Sequence, residues 1–335
     1  MQSEIKPKIA ISIGDFNGIG PEVVLKSVSS ALHTSTPVII APVGVIEYYK
    51  ELLNQDINFN VLNEDLDIHT DEINVYPIQT NNLSITPGTL SKESGKVAMQ
   101  AIETGIQFCL EHKTDALVTA PISKESVNLA GYDIPGHTEF LASSTDTESV
   151  LMMLVSGSLR VALVTTHIPI KDVAKSIDPE LIKDKVDLLA KSLIKDFGIR
   201  EPRIAVFGLN PHAGDGGVIG REELDMIIPT LKEINDSYES VQVNGPYPAD
   251  GFFGQKMYEN YDGILAMYHD QGLAPFKLLS FGKGVNFTAG LPIIRTSPDH
   301  GTAFNIAGKG VANPSSFKEA YDLAVELSNK KLREN

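Results

Sequence analysis

Three histidines follow apolar runs of the sequence in the same way. LRVALVTT leads to His167, RIAVFGLNP leads to His212, and GILAMY leads to His269. Each run has the composition of a buried β-strand, and equivalent ends of parallel strands lie along one edge of a sheet. The three imidazoles are therefore expected to converge there. Three neutral imidazoles suit a catalytic divalent metal with an open position, such as Zn²⁺, Co²⁺ or Ni²⁺.

A second polar group is basic. It comprises Lys277, Lys283, Asn286 and Arg295, which lie within the glycine-rich and apolar segment 262–314. Lysine and arginine together bind phosphate or carboxylate, arginine through a bidentate fork. The alternative is that the two lysines are solvated surface charges, which is the usual environment of lysine.

Both groups leave other functions open. The chain has no local H-x-x-x-H pair, so the histidines are either a metal site or three unrelated polar residues at strand ends. A metal-dependent hydrolase would use the same imidazoles to activate water. A non-catalytic phosphate-binding module would need only Lys277 and Arg295. Formation of NADH separates a dehydrogenase from both.

The rest of the chain alternates between strand and helix patterns. This alternation predicts an α/β protein with a mostly parallel sheet covered by helices. The runs at 151–155 and 159–165 are close enough for a hairpin-like pair. Strands are predicted at 8–13, 37–41, 59–62, 73–76, 115–120, 151–155, 159–165, 203–207, 241–243 and 263–267, and helices at 45–53, 94–112, 179–197 and 221–234.

The first strand runs into a glycine-rich loop, GDFNGIGPE at 14–22. Strand, glycine loop and helix in succession suit a phosphate or dinucleotide loop. The spacing is not G-x-G-x-x-G, however, and no Walker lysine follows. A tight β-to-α turn explains the loop equally well.

Bulk composition narrows the function classes. The 335 residues are long enough for two domains, and 42% apolar with 21% charged residues is typical of a globular protein. A formal net charge of −15 argues against nucleic-acid binding. Cys109 is the single cysteine, which excludes an internal disulfide and a multi-cysteine metal site. Neither an apolar leader nor a run approaching 18 apolar residues is present, so a cytoplasmic protein without membrane contact is expected.

Taken together, several segments resemble the 4-hydroxythreonine-4-phosphate dehydrogenase family of pyridoxal phosphate biosynthesis. The resemblance spans nearly the whole chain. One departure lies in the first loop, where the family commonly has proline in place of Phe16 and a small residue in place of Asn17. The segments are GDFNGIGPE, GHTEFL, TTHIP, NPHAGDGG, GPYPAD, YHDQGL, GVNFTAGLPIIRTSPDHGTA and IAGKGVANP.

The resemblance implies a role for individual residues. His137, oriented by Asp250, is the candidate general base. The segment 299–314 is similar to the adenine-side loop of isopropylmalate and isocitrate dehydrogenases. The implied metal ligands are His167, His212 and His269, the implied substrate-binding residues are His137, Thr138, Lys277, Asn286 and Arg295, and the implied cofactor-binding residues are His300, Gly301, Thr302 and Asn313.

The same resemblance implies an architecture. We expect the two-domain, three-layer α/β/α fold of the isocitrate/isopropylmalate dehydrogenase type, with the active site in the interdomain cleft. One domain would comprise 1–135 plus 290–335. The other, 136–289, would carry most metal and substrate residues and the dimer interface. A homodimer with shared active sites is implied, in which the other subunit donates one metal histidine.

The implied reaction is oxidation of 4-phosphooxy-L-threonine at its C3 hydroxyl. NAD or NADP would accept the hydride, and each active site would use one divalent metal, Zn, Co or Mg. The product, 2-amino-3-oxo-4-(phosphooxy)butanoate, would lose CO₂ to give 3-amino-2-oxopropyl phosphate. The alternative within the same scaffold is a dehydrogenase of phosphorylated threonate or erythronate.

Overall fold

The chain forms two compact units in a computed structural model that describes residues 6–63, 66–81, 83–134 and 136–334. Unit 1 contains Met1–Glu148 and Leu291–Asn335, and unit 2 contains Ser149–Gly290. Residues 136–148, which were expected in the middle domain, therefore belong to the unit of the chain termini. Helix 137–144 packs on the long helix 92–110 of unit 1, and this tertiary contact is not visible in the composition of the sequence.

Most strands lie where the apolar runs predict them. The strands are β1 (Lys8–Ser12), β2 (Thr36–Ala41), β3 (Phe59–Val61), β4 (Ile73–Pro77), β5 (Ala116–Thr119), β6 (Leu151–Ser156), β7 (Leu159–Leu163), β8 (Arg203–Phe207), β9 (Gln242–Tyr247), β10 (Gly263–Ala266), β11 (Val285–Ala289) and β12 (Ile294–Pro298). The sequence patterns did not predict β11 and β12.

The helices were predicted less completely than the strands. The helices are α1 (Gly20–Ala31), α2 (Val43–Leu52), α3 (Lys92–Leu110), α4 (Lys124–Leu129), α5 (His137–Ser144), α6 (Ile170–Ser176), α7 (Pro179–Lys195), α8 (Ile228–Ser237), α9 (Ala249–Gly254), α10 (His269–Ser280) and α11 (Ser315–Glu334). A π-helical turn at Glu223–Ile227 precedes α8, where one continuous helix was predicted. Among these helices of the described ranges, none combines the length and apolarity needed to cross a bilayer.

Unit 1 contains a parallel sheet in the order β3-β4-β2-β1-β5-β12. The strands β1, β2 and β5 are buried almost throughout, as expected of a parallel sheet covered on both faces. Ser91 caps the start of helix α3, and its side chain accepts a hydrogen bond from the Ser94 N–H at 2.9 Å. Its predicted apolar face, with Ile102 and Cys109, is buried.

Unit 2 contains strands in the order β11-β6-β7-β10-β8-β9. The pair β6 and β7 is antiparallel, which confirms the predicted hairpin-like arrangement. Strands β7, β10 and β8 are parallel neighbours, with Ala266 paired to Leu163 and Leu265 paired to Val206. The three runs that lead to the histidines therefore do end at one edge of one sheet.

Candidate functional site

His167 and His269 lie together in unit 2. Their ring centroids are 5.7 Å apart, with an angle of 44° between the ring planes. Both line a cavity of about 320 Å³, with Tyr268 and Ile170 among its other walls. The pairing of β7 with β10 produces this proximity, because each histidine follows the end of one of these two neighbouring strands.

A carboxylate orients one of the two rings. Asp270 Oδ1 lies 2.7 Å from His269 Nδ1. A carboxylate at this distance accepts a hydrogen bond from Nδ1–H. The lone pair of Nε2 is then available to a metal. Two imidazoles in one cavity, one of them with a carboxylate behind it, fit the nitrogen ligands of a divalent transition metal.

His212 lies on a left-handed turn of unit 2 after β8. Six successive residues, from His212 to Gly217, have positive φ, with values between 44° at Asp215 and 94° at Gly217. Alanine and aspartate are among them, and such residues adopt this conformation only where the surroundings hold them there. The sequence NPHAGDGG predicted a loop at this place but not its handedness.

The buried carboxylate of Glu223 holds this turn. Glu223 is 1% exposed and accepts hydrogen bonds from the Asn210 N–H at 2.7 Å and from Asn210 Nδ2 at 3.0 Å. Gly214 is packed so closely that a Cβ there would lie 2.6 Å from Glu223 Oε2. Asn210 and Glu223 thus fix the backbone that carries His212, and sequence patterns did not single out either residue.

The structure therefore brings two of the three predicted metal histidines together. Across the described ranges, no three His, Cys, Asp or Glu side chains of one chain are placed to share a metal. A tetrahedral or larger coordination sphere built on His167 and His269 would need at least two further ligands.

Arg295 is buried in unit 1. It lies on β12, is 1% exposed, and its Nε and Nη2 donate to Thr119 Oγ1 at 3.2 and 2.7 Å. Burial lowers the pKa of Arg295 to about 10, which leaves the guanidinium charged at neutral pH. A buried cation at the end of β5 suits the binding of an anionic group.

His137 begins helix α5, also in unit 1. The residue is half-buried, and its Nε2 is buried with no hydrogen-bond partner among the residues that the structure describes. Burial, followed by the charges of Arg295 and Lys124, lowers the pKa of His137 to about 3. The imidazole is neutral at pH 7, and its open Nε2 needs a polar group of a ligand. Thr138 follows it and is half-buried.

Lys124 adds a second positive charge near His137 and was not among the predicted site residues. It follows β5 within the segment TAPISK, which obeys the same strand-end rule that identified the histidines. That rule would have found it, had it been applied to every strand.

Unit 2 contains the other predicted substrate residues. Asn286 lies on β11, and its Oδ1 is buried and has no hydrogen-bond partner in the described part of the chain, as expected for an atom that binds a ligand. Lys277 and Lys283 are exposed, so burial does not distinguish them from ordinary surface lysines. Asp250, the predicted partner of His137, is exposed on α9 of unit 2, whereas His137 belongs to unit 1.

The predicted cofactor segment, 299–314, packs on helix α1 and its preceding loop. The Ile19 N–H donates to the Thr302 carbonyl at 2.9 Å. Glu22 is fully buried, and its Oε1 accepts from the Ala312 N–H at 2.7 Å and from Lys26 Nζ at 2.6 Å. The glycine loop thus supports the segment that is expected to face the cofactor.

Within that segment, His300 and Asn313 differ. The Nδ1 of His300 lies 3.1 Å from the Gly301 carbonyl, and its Nε2 is buried with no hydrogen-bond partner within the described ranges. Such an orphaned atom fits a bound cofactor. Asn313 Oδ1 accepts from the Ser315 N–H at 3.0 Å, so this part of Asn313 caps α11.

The first loop is a tight turn. Asp15 Oδ1 accepts from the Asn17 N–H at 3.0 Å, and a Cβ on Gly14 would lie 2.4 Å from the Pro121 carbonyl oxygen. Phe16, the departure from the family pattern, is fully buried in the core. The geometry is that of the β-to-α turn interpretation.

Comparison with known proteins places the chain in one family. The family model described as "Pyridoxal phosphate biosynthetic protein PdxA" matches residues 33–324. A 4-hydroxythreonine-4-phosphate dehydrogenase of Bacteroides thetaiotaomicron is 43% identical over 99% of this chain and 91% of its own. A relative in Oceanobacillus iheyensis, 40% identical over 96% of this chain and 98% of its own, is named for D-threonate 4-phosphate dehydrogenase.

Solved structures agree with the fold. The crystal structure of 4-hydroxythreonine-4-phosphate dehydrogenase from Klebsiella pneumoniae matches with a TM-score of 0.87 and 35% identity, covering 96% of this chain and 100% of that one. A β-decarboxylating dehydrogenase from Thermococcus kodakarensis matches with a TM-score of 0.50 and 13% identity, covering 98% and 86%. The latter likeness is one of fold alone, and it agrees with the predicted α/β architecture.

Proposed function

Because the chain belongs to the PdxA family of pyridoxal phosphate biosynthetic proteins, we propose that it oxidises 4-phosphooxy-L-threonine with NAD or NADP. The C3 hydroxyl becomes a ketone, and the resulting 2-amino-3-oxo-4-(phosphooxy)butanoate loses CO₂ to give 3-amino-2-oxopropyl phosphate. The observation that carries this proposal is the pair of His167 and His269 with Asp270 behind it. The reaction requires removal of an alcohol proton, and an alcohol is far too weak an acid for a side chain alone to deprotonate it at neutral pH.

His167, His212 and His269 are the proposed ligands of one Zn, Co or Mg ion per active site. When bound, the metal supplies Lewis-acid chemistry that lowers the pKa of the substrate hydroxyl. Asp270 keeps the His269 ring in the tautomer that ligation requires. We propose a homodimer with shared active sites, in which the other subunit supplies one histidine of each metal site. The family resemblance and the two-histidine cluster of a single chain both support this arrangement.

The substrate carries a phosphate and a carboxylate, which bind to buried cations and to available hydrogen-bond donors. Arg295 provides the buried cation of unit 1, and His137 with Thr138 provides polar atoms near it. Lys277 and Asn286 are the proposed substrate residues of unit 2. These groups would hold the phosphate and carboxylate so that the C3 hydrogen faces the nicotinamide, which is catalysis by positioning.

His137 is the proposed general base, with Asp250 as the residue that orients it. A pKa of about 3 makes His137 a weak base in the protein without substrate. Arg295 and Lys124 contribute to that low value, and a bound phosphate or carboxylate would offset their charges and raise the pKa. Substrate binding would thus prepare His137 to accept a proton.

The cofactor is proposed to bind along 299–314, with His300, Gly301, Thr302 and Asn313 as contacts. These residues would hold a nicotinamide cofactor, which would supply the hydride acceptor of the reaction. Support comes from the buried His300 Nε2, for which the described residues provide no hydrogen-bond partner. The enzyme is proposed to act in the cytoplasm.

A second candidate substrate is a phosphorylated threonate. The D-threonate relative, at 40% identity, is the specific observation that favours it. Threonate lacks the 2-amino group of 4-phosphooxy-L-threonine, so the two substrates differ in the group that lies beside the reacting hydroxyl. Phosphorylated erythronate shares this difference.

A single assay tests these proposals. The enzyme is first stripped of metal with a chelator. It then receives Zn²⁺, Co²⁺ or Mg²⁺ in turn, together with NAD or NADP and one of the phosphorylated acids. The absorbance of NADH or NADPH is followed. We expect activity only after metal addition and the highest kcat/KM with 4-phosphooxy-L-threonine. Turnover of substrate without reduced cofactor would contradict the dehydrogenase assignment and favour a hydrolase.

Variants accompany the assay. His212→Ala should lose bound metal and oxidation together, whereas His33→Ala, which alters an exposed histidine of unit 1, should retain both. Full activity with undiminished metal in His212→Ala would contradict the metal assignment.

A further inference from the structure

A line of hydrogen bonds crosses the ends of β7, β10 and β8 in unit 2. The Met267 carbonyl accepts from Thr165 N–H at 3.2 Å and from Thr165 Oγ1 at 2.8 Å. The Met267 N–H donates to Gln271 Oε1 at 2.7 Å. Gln271 Nε2 in turn donates to the Gly208 carbonyl at 2.7 Å. The Thr165 side chain thus joins the end of β7 to the end of β10. The Gln271 side chain joins the end of β8 to the end of β10.

Each tied position lies just before a predicted metal ligand. Thr165 is two residues before His167, and Met267 is two residues before His269. Gly208 is four residues before His212. The line of hydrogen bonds therefore passes through the three backbone segments from which the three imidazoles project.

Burial makes these hydrogen bonds costly to break. Met267 is fully buried, Thr165 is 7% exposed, and Gly208 is buried. A buried backbone group that loses its partner is left without water to replace it. A shift of one strand end against the next would break a bond of the Gln271 amide, whose donor and acceptor are held on one rigid planar group.

Two properties suit Gln271 to hold the strand ends together, namely its place in the helix and its lack of charge. It stands in the first turn of α10, the same turn that begins with His269. The Gln271 side chain therefore connects the start of the helix to the end of β10 and to the end of β8. A neutral amide does this without adding charge to a site where a cation would be bound.

We propose that Gln271, assisted by Thr165, is a positioning residue that fixes the relative placement of the metal histidines. This inference rests on the proposed metal-dependent function. Metal ligands need to be held within about 0.5 Å of their working geometry by the groups behind them. Loss of such a supporting contact weakens metal affinity by about 10–100-fold.

The test uses substitutions that remove side-chain hydrogen bonds at nearly constant volume. Gln271→Met removes both bonds of the amide, and Thr165→Val removes the hydroxyl bond while it keeps the backbone bond. Gln107→Met is the control for the first, because Gln107 is exposed on α3 and bonds to Glu111. Thr230→Val is the control for the second, because Thr230 is 3% exposed and its hydroxyl donates to the Met226 carbonyl in unit 2.

Two measurements are made on the full-length, metal-free protein. Titration with Co²⁺ gives a dissociation constant and a visible absorption spectrum that reports coordination geometry. We expect about 10–100-fold weaker binding and an altered spectrum in Gln271→Met, and a smaller change in Thr165→Val. Amide hydrogen exchange should be faster around Met267 and 208–216 in Gln271→Met without any metal present. Both controls should match the wild type.

The outcomes separate this role from simpler ones. A lower melting temperature with wild-type Co²⁺ affinity and spectrum would show that the bridge serves stability alone, and would overturn the proposal. If Gln271→Met fails to fold, unchanged Co²⁺ binding in Thr165→Val overturns it. Wild-type protein that binds no Co²⁺ would instead refute the metal assignment, and this positioning role with it, before any variant is compared.

Discussion

The two units place their candidate functional histidines in opposite surroundings. In unit 2, His269 lies in a cavity with His167 and has the carboxylate of Asp270 on its Nδ1. In unit 1, His137 has a buried Nε2 that no described residue pairs with, and the charges of two cations act on it. One arrangement prepares a nitrogen to bind a cation, whereas the other keeps an imidazole neutral where an anion is expected. The residue type is the same, so the surrounding charges decide the chemistry.

The largest test of this comparison replaces one histidine in each unit. His269→Ala should lose bound metal and lower kcat/KM by about 10³-fold or more, because Lewis-acid stabilisation is worth several kcal/mol. His137→Ala should lose activity but keep its metal. Metal content by atomic absorption and steady-state kinetics provide the measurements. If both variants lost metal equally, the division of roles between the units would be wrong.

Arg295 provides the next test, in unit 1. Arg295→Lys retains a positive charge but loses the planar fork and the two bonds to Thr119. We expect kcat/KM for the phosphorylated substrate to fall by about 10–100-fold, as loss of a charged hydrogen bond implies. Metal affinity should stay at the wild-type value. A fall in metal affinity would place Arg295 with the metal ligands and not with the anion site.

The strands of unit 2 show what the sequence was able to predict. Runs such as LRVAL and GILA are apolar and β-rich, and this local signal fixed β7 and β10 closely. Their adjacency was inferred from the rule that parallel strands end along one edge, and the sheet order confirmed it. The proximity of His167 and His269 follows from that topology.

Other elements were missed for identifiable physical reasons. Strands β11 and β12 lie in a segment full of glycine and proline, which is typical of loops. Helix α10 begins on a polar cluster and contains Pro275, which conceals its helical pattern.

Side chains that act through tertiary contacts were also missed. Glu223 supports His212 from 11 residues away, and Gln271 joins strand ends that are distant in sequence. Neither residue type nor spacing predicts such a role, because the hydrogen-bond partners are backbone groups that only the fold brings close to these side chains. Lys124 is different, since its place after β5 was visible in the sequence.

Asp270 allows a smaller test within unit 2. Asp270→Asn keeps the size of the side chain but removes the charge that faces His269 Nδ1. The carboxylate is 87% exposed, so solvent weakens its effect, and we expect about tenfold weaker metal binding. Asp225→Asn, which alters an exposed ion pair with Arg221, is the matched control. Equal Co²⁺ affinities in both variants would contradict the orienting role.

The smallest test returns to His137 and concerns stability. Its pKa is about 3 in the folded protein against an ordinary value of 6.5. Between these two values the unfolded chain binds more protons than the folded one, so the free energy of unfolding rises with pH. His137 should therefore cost the folded protein about 1 kcal/mol when the pH falls from about 7.5 to about 5.5. Urea unfolding of His137→Gln across this range should show a shallower dependence on pH than the wild type, with the exposed His33→Gln as control. An unchanged slope in His137→Gln would mean that the ring takes up protons in the folded state, and the contrast with His269 would disappear.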